Sequence, residues 1–267
     1  MHWTVVPHSR LAVVGCAYGN LPALAACCDD AAAQGCGAVL GAGDYLGFCG
    51  HGGEMVALVR ARLAAAVAGN HEQAVVAGAA VCGCGHDDPA QERLSCAAAA
   101  PQADGVDDAA RDWLAGLPHP LAVATPGGAL LLCHGSPAVV NAFLHREGLD
   151  RQQAGRWLVE AGCAVLACSH TGHPWVAALD AGRLAVNCGS AGRPADDGDP
   201  AVRYAIIDLG GAEPRAEIRR VAYDHTAWAS QLRRDGREER FVAQLVEGRW
   251  ARPAPAAVRT LRSLACC

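Results

Sequence analysis

The first apolar run, Arg10 to Gly15, is short and continuous, and it predicts a strand buried on both faces. It leads through Cys16-Ala17-Tyr18-Gly19-Asn20 into a helical stretch from Leu21 to Gln34. Asn20, with Pro22 just after it, marks the helix start and Gly35 its end. Ala38 to Leu40 is the next predicted strand, so the chain opens with a β-α-β unit. A glycine-rich loop, Gly41 to Gly53, precedes a predicted helix over Glu54 to Arg62, and Leu63 to Ala68 predicts another buried strand. Glu72 to Ala80 reads as helix, whereas Val81 to Val106, rich in Gly, Asp, Pro and Ala, reads as irregular. A helix over Asp107 to Leu114 ends at Gly116, and Leu121 to Ala124 pairs with Ala129 to Cys133 across Pro126-Gly127-Gly128. A helix over Asp150 to Ala161 leads to a strand over Ala164 to Ala167, and strands over Trp175 to Leu179 and Arg183 to Asn187 flank Asp180-Ala181-Gly182. Strands over Tyr204 to Leu209 and Glu217 to Ala222 follow, then helices over Thr226 to Arg234 and Glu238 to Glu247. Alternating β and α early, with hairpins later, predicts an α/β fold in which a pair of mixed sheets is covered by helices.

Polar residues recur at the turns leaving these strands, which is where α/β folds place their sites. Gly43-Asp44 follows one strand, Gly69-Asn70-His71-Glu72 another, Cys133-His134-Gly135-Ser136-Pro137 a third and Ser169-His170-Thr171-Gly172-His173-Pro174 a fourth. One carboxylate, one amide and several imidazoles suit a divalent metal better than a nucleophilic triad.

Composition narrows the function. At 267 residues the chain is expected to form one domain, with a core over about 10–224 and a helical tail over about 225–267. A net charge of -5, with its 22 basic residues spread along the chain, leaves no footprint for stable nucleic-acid binding. Every one of those residues is Arg, so neither a Schiff-base lysine nor a P-loop lysine exists here. Met1 to Arg10 lacks a basic segment followed by an apolar one, and no apolar run reaches the roughly 20 residues of a membrane span. A soluble, cytoplasmic protein is expected, with most of its 14 Cys, among them Cys27, Cys28, Cys133 and Cys163, serving as small buried hydrophobes. Cys266-Cys267 is expected to be disordered, and Trp113, Trp157 and Trp228 to belong to the core.

In order, Gly19-Asn20-Leu21-Pro22, Gly43-Asp44, Gly69-Asn70-His71-Glu72, His134-Gly135-Ser136-Pro137, His170-Thr171 and Asn187-Cys188-Gly189-Ser190 resemble the calcineurin-like metallophosphoesterase superfamily, in particular its compact bacterial phosphodiesterase branch. The similarity runs from about Arg10 to Val221-Ala222-Tyr223-Asp224. It implies a four-layer sandwich of two mixed sheets between helices, and two divalent ions that share a carboxylate, activate a water and clamp phosphoryl oxygens. Carried over by resemblance, Asp44 matches the shared ligand, and Asn70, His134 and His170 match the other protein ligands of one ion. His71 matches the residue that contacts phosphate and assists the leaving group.

The other half of the pattern is altered. Where the family has Asp-x-His this chain has Cys16-Ala17-Tyr18, and where it has Gly-His-Thr-His the second His is Gly172, with His173 one position on. Either Cys16 and Tyr18 retune that ion's site towards zinc or iron, or the ion is absent and Asp44, Asn70, His134 and His170 hold one alone. A one-residue shift turns His173 to the opposite face of an extended segment. An Arg expected at the position of Ala195 is missing, and Arg193 stands nearby as a candidate substrate contact. Two further readings concern cysteines: Cys16 as a nucleophile, and Cys82-Gly83-Cys84-Gly85-His86 with Cys96 as a structural zinc clip.

The sequence thus points to a metal-dependent phosphoesterase, a phosphatase or phosphodiesterase acting on a small phosphorylated or nucleotide-like molecule, with Mn, Fe or Zn at one site or two. Against it stands a degenerate member that binds a phosphorylated ligand or a protein partner without turnover, or one recruited to specialised non-phosphate metabolism.

Overall fold

Two mixed sheets form from the short apolar runs, in a computed structural model that describes residues 1–253. The chain runs β1 (His2–Val5), β2 (Arg10–Val14), α1 (Leu21–Ala33), β3 (Ala38–Gly41), α2 (Gly52–Arg62), β4 (Ala65–Ala66), α3 (Asn70–Ala77), α4 (Pro89–Ala99) and α5 (Asp108–Ala115). It continues through β5 (Leu121–Thr125), β6 (Gly128–Leu132), α6 (Arg151–Ala161), β7 (Val165–Cys168), β8 (Trp175–Ala178), β9 (Leu184–Asn187), β10 (Val202–Asp208), β11 (Arg215–Val221), α7 (His225–Arg234) and α8 (Glu239–Glu247). One sheet has the order β11-β10-β2-β3-β4 and the other β1-β5-β6-β7-β9-β8.

The sheets stack face to face on an apolar layer in which Leu11, Val13 and Leu40 meet Val123, Leu130, Leu132 and Val165. On its other face the first sheet packs Val14, Val39, Tyr204 and Ile206 against Leu24 and Cys27 of α1 and Met55 and Val59 of α2. The second sheet packs Leu131 and Leu166 against Ala154 and Leu158 of α6. The result is the expected helix-sheet-sheet-helix sandwich, because each strand's alternate side chains serve different apolar layers.

Parallel pairing of β2 with β3 (Val13 opposite Leu40) and of β6 with β7 (Leu131 opposite Leu166) brings the carboxyl ends of neighbouring strands together. The turns cross-bond as well: Cys16 N–H donates to Gly43 O and Ser169 N–H to His134 O. The polar motifs leave from these ends.

Four expectations change. The strand over Leu63 to Ala68 reduces to a two-residue ladder at the sheet edge. The segment over Val81 to Val106 contains a helix, α4, capped by the Asp88 carboxylate on Ala90 N–H with Pro89 in its first turn. An N-terminal strand, β1, pairs parallel to β5, though its side chains are largely exposed. Trp113, Trp157 and Trp228 lie only partly buried at the edges of their clusters. Cys27, Cys28, Cys133 and Cys163 are free thiols in the core, as expected. Cys266 and Cys267 lie outside the described residues. Among the described residues no helix is long and apolar enough to cross a membrane.

Candidate metal centre

Glu72 organises the site. Its buried carboxylate accepts the backbone N–H groups of Asp44 (2.8 Å) and Gly69 (2.8 Å) on Oε2, and those of Tyr45 (2.9 Å) and Leu46 (3.2 Å) on Oε1. As the third residue of α3 it satisfies the helix entrance while tying the Gly43-Asp44 turn to the Gly69-Asn70 turn. Burial and the neighbouring Asp44 push its carboxyl upward, yet four N–H donors face its oxygens, and the geometry holds the ionised form. The two turns touch so closely that a Cβ on Gly69 would lie 2.2 Å from Asp44 Oδ1, and one on Gly43 2.6 Å from Gly69 N. Only glycine fits either position.

Asp44 returns the contact, its Oδ1 accepting His71 N–H at 3.1 Å. Its Oδ2 lies 3.2 Å from His134 Nε2 and 3.7 Å from His71 Nε2. His134 Nε2 is also 3.0 Å from His170 Nδ1, while His134 Nδ1 sits 2.7 Å from Ala42 O. A carbonyl only accepts, so Nδ1 carries a proton and Nε2 is the atom presented to Asp44 and His170. Burial alone would raise Asp44, but His134 and His71 hold its carboxyl well below the usual range. Burial would likewise lower His134, and Asp44 lifts it instead. His170 is pushed down to about 3, by burial first and then by His134.

Several of these atoms want a partner. Among the described residues, Asn70 Oδ1, His71 Nδ1 and His170 Nε2 are buried without a hydrogen bond. Asn70 Nδ2 donates to Cys82 O at 2.9 Å, which fixes the amide so that its oxygen is the free end. An orphaned amide oxygen, a carboxylate oxygen and two imidazole nitrogens fit a divalent ion, which would satisfy groups otherwise expensive to bury. Cys16, Tyr18, Asp44 and His170 also hold positive φ of 51°, 53°, 55° and 37°, a conformation that strains residues with a side chain.

The altered positions behave differently from one another. Cys16 Sγ lies with an Asp44 oxygen and a His134 nitrogen inside one 4.8 Å cluster, and Ser169 Oγ is 3.0 Å from it. Burial, then Asp44, pushes this thiol far upward, which disfavours its reading as a nucleophile. Tyr18 packs in an apolar cluster with Phe48 and Phe241, its ring 5.5 Å from that of His71. His173 stacks on Trp250 at 4.4 Å and, like His170, joins none of the three-residue ligand clusters, whereas His71 joins one with Cys82 and Cys84. Arg193 lies over the rings of Trp250 (3.7 Å) and Tyr18 (5.2 Å), and a Cβ on Gly172 would come within 3.1 Å of its Nη2. Its Nε is buried without a partner among the described residues.

These groups open on a cavity of about 510 Å³ lined by Asp44, His71, His170 and Arg193 on its polar side and by Phe48, Phe143, Phe241 and Trp250 on its aromatic side. Four contributors had no role assigned from the sequence, although Glu72 stands inside the Gly69-Asn70-His71-Glu72 motif. Glu72 acts through backbone groups of a distant turn. His119 Nε2 accepts His134 N–H at 3.1 Å, as a neutral ring pushed down to about 4 by burial and then by His134. Phe241 and Trp250 belong to the helical tail, whose α8 folds back on the Tyr18 and Phe48 loops.

With this geometry in place, comparison with solved structures is decisive for the architecture. A metallophosphoesterase from Sphaerobacter thermophilus superposes with a TM-score of 0.67 at 23% identity, over 90% of this chain and 99% of its own. The chain has the metallophosphoesterase fold. A hypothetical protein from Pyrococcus horikoshii OT3 superposes with a TM-score of 0.70 at 17% identity, over 93% of this chain and 100% of its own. No protein-family model matches the sequence, and no curated protein matches it either.

Proposed function

We propose that this protein is a metal-dependent phosphoesterase, a phosphatase or phosphodiesterase acting on a small phosphorylated or nucleotide-like molecule through one divalent ion held by Asp44, Asn70, His134 and His170. The observation that carries this reading is the approach of His134 Nε2 to Asp44 Oδ2 (3.2 Å) and His170 Nδ1 (3.0 Å), with Asn70 Oδ1 and His170 Nε2 buried and unpartnered among the described residues. Bound there, the ion would supply Lewis-acid polarisation of a phosphoryl oxygen and a more acidic water. Arg193 would meet the substrate's negative charge with a fixed positive one, held against the Trp250 ring and near that of Tyr18. His71 lines the same cavity, placed to pass a proton to a departing oxygen. The aromatic wall excludes water and offers stacking surface to a base or other planar group.

A single ion is favoured because a side chain at position 172 would be strained at φ +70° and would crowd Arg193 Nη2 at 3.1 Å, and Tyr18 packs in the apolar cluster with Phe48 and Phe241. That packing also supports a second reading, a member that binds a phosphorylated ligand without turnover. The test is metal content by elemental mass spectrometry after growth with manganese, iron and zinc supplied, followed by a panel of phosphate mono- and diesters. About one equivalent at this site and turnover abolished in His134→Ala support the enzyme. A wild type inert across the panel, yet thermally stabilised by a phosphorylated ligand, supports the binder.

A further inference from the structure

A second group of metal-binding side chains lies next to the Asp44 centre and is built from different elements. Cys82 and Cys84 leave the loop after α3, separated by Gly83, whose φ is +66° and whose carbonyl accepts Asn141 Nδ2 at 2.9 Å. Glu92 and Cys96 lie four residues apart on α4 and so share one of its faces. Cys82 Sγ is the hub, 2.8 Å from Cys84 Sγ and 4.0 Å from Cys96 Sγ, and Cys96 Sγ is 3.9 Å from Glu92 Oε1. Cys82, Cys96 and a Glu92 oxygen all lie within 4.8 Å of one another.

We propose that Cys82, Cys84, Cys96 and Glu92 form a thiolate-rich site for a soft d10 ion, zinc above all. Three sulfurs and one carboxylate oxygen from a tight loop and one helix face meet the four-coordinate preference of zinc. Thiolates about 2.3 Å from a tetrahedral ion lie roughly 3.8 Å apart, close to the Cys82 to Cys96 spacing. Cys84 Sγ lies 3.7 Å from His71 Nε2 and 3.5 Å from Asn70 Nδ2, so it completes the set by turning about χ1 away from these two and towards Cys96. His86 takes no part: its ring lies tilted against Phe143 at 4.9 Å, and its backbone N–H donates to the other Glu92 oxygen at 2.9 Å. The site has a structural consequence, because the Cys82 carbonyl anchors the Asn70 amide. An ion that immobilises the loop braces a candidate ligand of the neighbouring centre.

The test uses the full chain carrying Cys16→Ser and His134→Ala, which removes the other nearby thiol and disables the Asp44 centre, and titrates it with cobalt(II). A thiolate-to-cobalt charge-transfer band in the near ultraviolet, saturating at one equivalent per chain and lost when Cys82→Ser and Cys96→Ser are added, is the expected result. Absence of the band, or a band that Cys96→Ser alone leaves unchanged, as the neighbouring His71-Cys82-Cys84 group would give, overturns the proposal. Zinc content of the chain with Cys82→Ser and Cys96→Ser alone, in an otherwise wild-type background, should fall by one equivalent, and an unchanged content overturns it as well. Neither readout involves turnover, so both stand apart from the phosphoesterase reading.

Discussion

Replacing Glu72 with Gln removes a charge without removing volume, and the consequence can be worked from four hydrogen bonds. In the wild type Oε2 accepts Asp44 and Gly69 N–H while Oε1 accepts Tyr45 and Leu46 N–H. An amide keeps one oxygen, so two N–H groups face an NH2 that can only donate. Hydrogen bonds to a charged group contribute about 1.5–3 kcal/mol each, and buried donors left without acceptors add to the loss, giving a destabilisation of about 4 kcal/mol. For a chain of this size that corresponds to a fall in Tm of roughly 8–16 °C. The lost bonds also free the Asp44 turn, so metal affinity should drop by about 10–100-fold, as when outer partners of a ligand are removed. Urea unfolding followed by tryptophan fluorescence measures the first effect, and competition with a fluorescent chelator the second. A Glu72→Gln protein within about 0.5 kcal/mol of wild type would refute the argument that this carboxylate joins the two turns.

Other expectations follow from the same geometry. Arg193→Gln should raise KM for a phosphate ester by about 10–100-fold, the cost of a charge-assisted contact, with kcat less affected and Tm nearly unchanged; steady-state kinetics decides. Removing the ion with a chelator should lower Tm, since saturation at 100 times Kd contributes about 2.7 kcal/mol, and re-addition of metal should restore it in wild type but not in His134→Ala. Asp30 accepts from Tyr204 Oη at 2.7 Å and from Arg219 Nε at 3.2 Å, and although burial opposes it, Arg219 holds the carboxyl below its ordinary value. Its folded pKa is therefore lower than its unfolded one, so its contribution is full above about pH 4 and is lost as the pH falls through the depressed value. Asp30→Asn should flatten that part of the acid unfolding curve while destabilising the protein at pH 7, as circular dichroism against pH would show.

What the chain disclosed before folding, and what it withheld, follows from how far apart the interacting residues lie. Asp44, Asn70, His134 and His170 each directly follow an apolar run, so a local pattern was enough to nominate them, and parallel pairing then brought their turns together. The α4 helix was hidden although its signals were present, Asp88 as cap and Pro89 in the first turn, because the flanking Gly and Asp residues carry the composition of a loop. The sequence set Cys96 beside the Cys82-Gly83-Cys84 loop as a candidate clip, but without that helix Glu92 had no way to be seen on the same face as Cys96. β1 escaped because its partly polar, exposed strand gains its order from pairing with β5 more than 100 positions away. The altered residues make the sharpest case. Read in one dimension, Tyr18 and Gly172 look like two separate losses, 154 positions apart. In the fold both meet Arg193: its guanidinium covers the Tyr18 ring and approaches the space that Gly172 leaves open, with Trp250 closing the other side. A histidine at position 172 would project into that guanidinium, so a ligand there and this cation compete for one volume. Restoring the motif with Gly172→His alone should therefore fail to recruit a second ion, the more so because position 172 sits at φ +70°, where a side chain is strained, and because Cys16 and Tyr18 stay in place. Restoring the pattern takes Cys16→Asp, Tyr18→His and Arg193→Ala beside it; metal stoichiometry of the single and combined variants separates the two outcomes, and a second equivalent in the single variant would show that the cation does not guard the site.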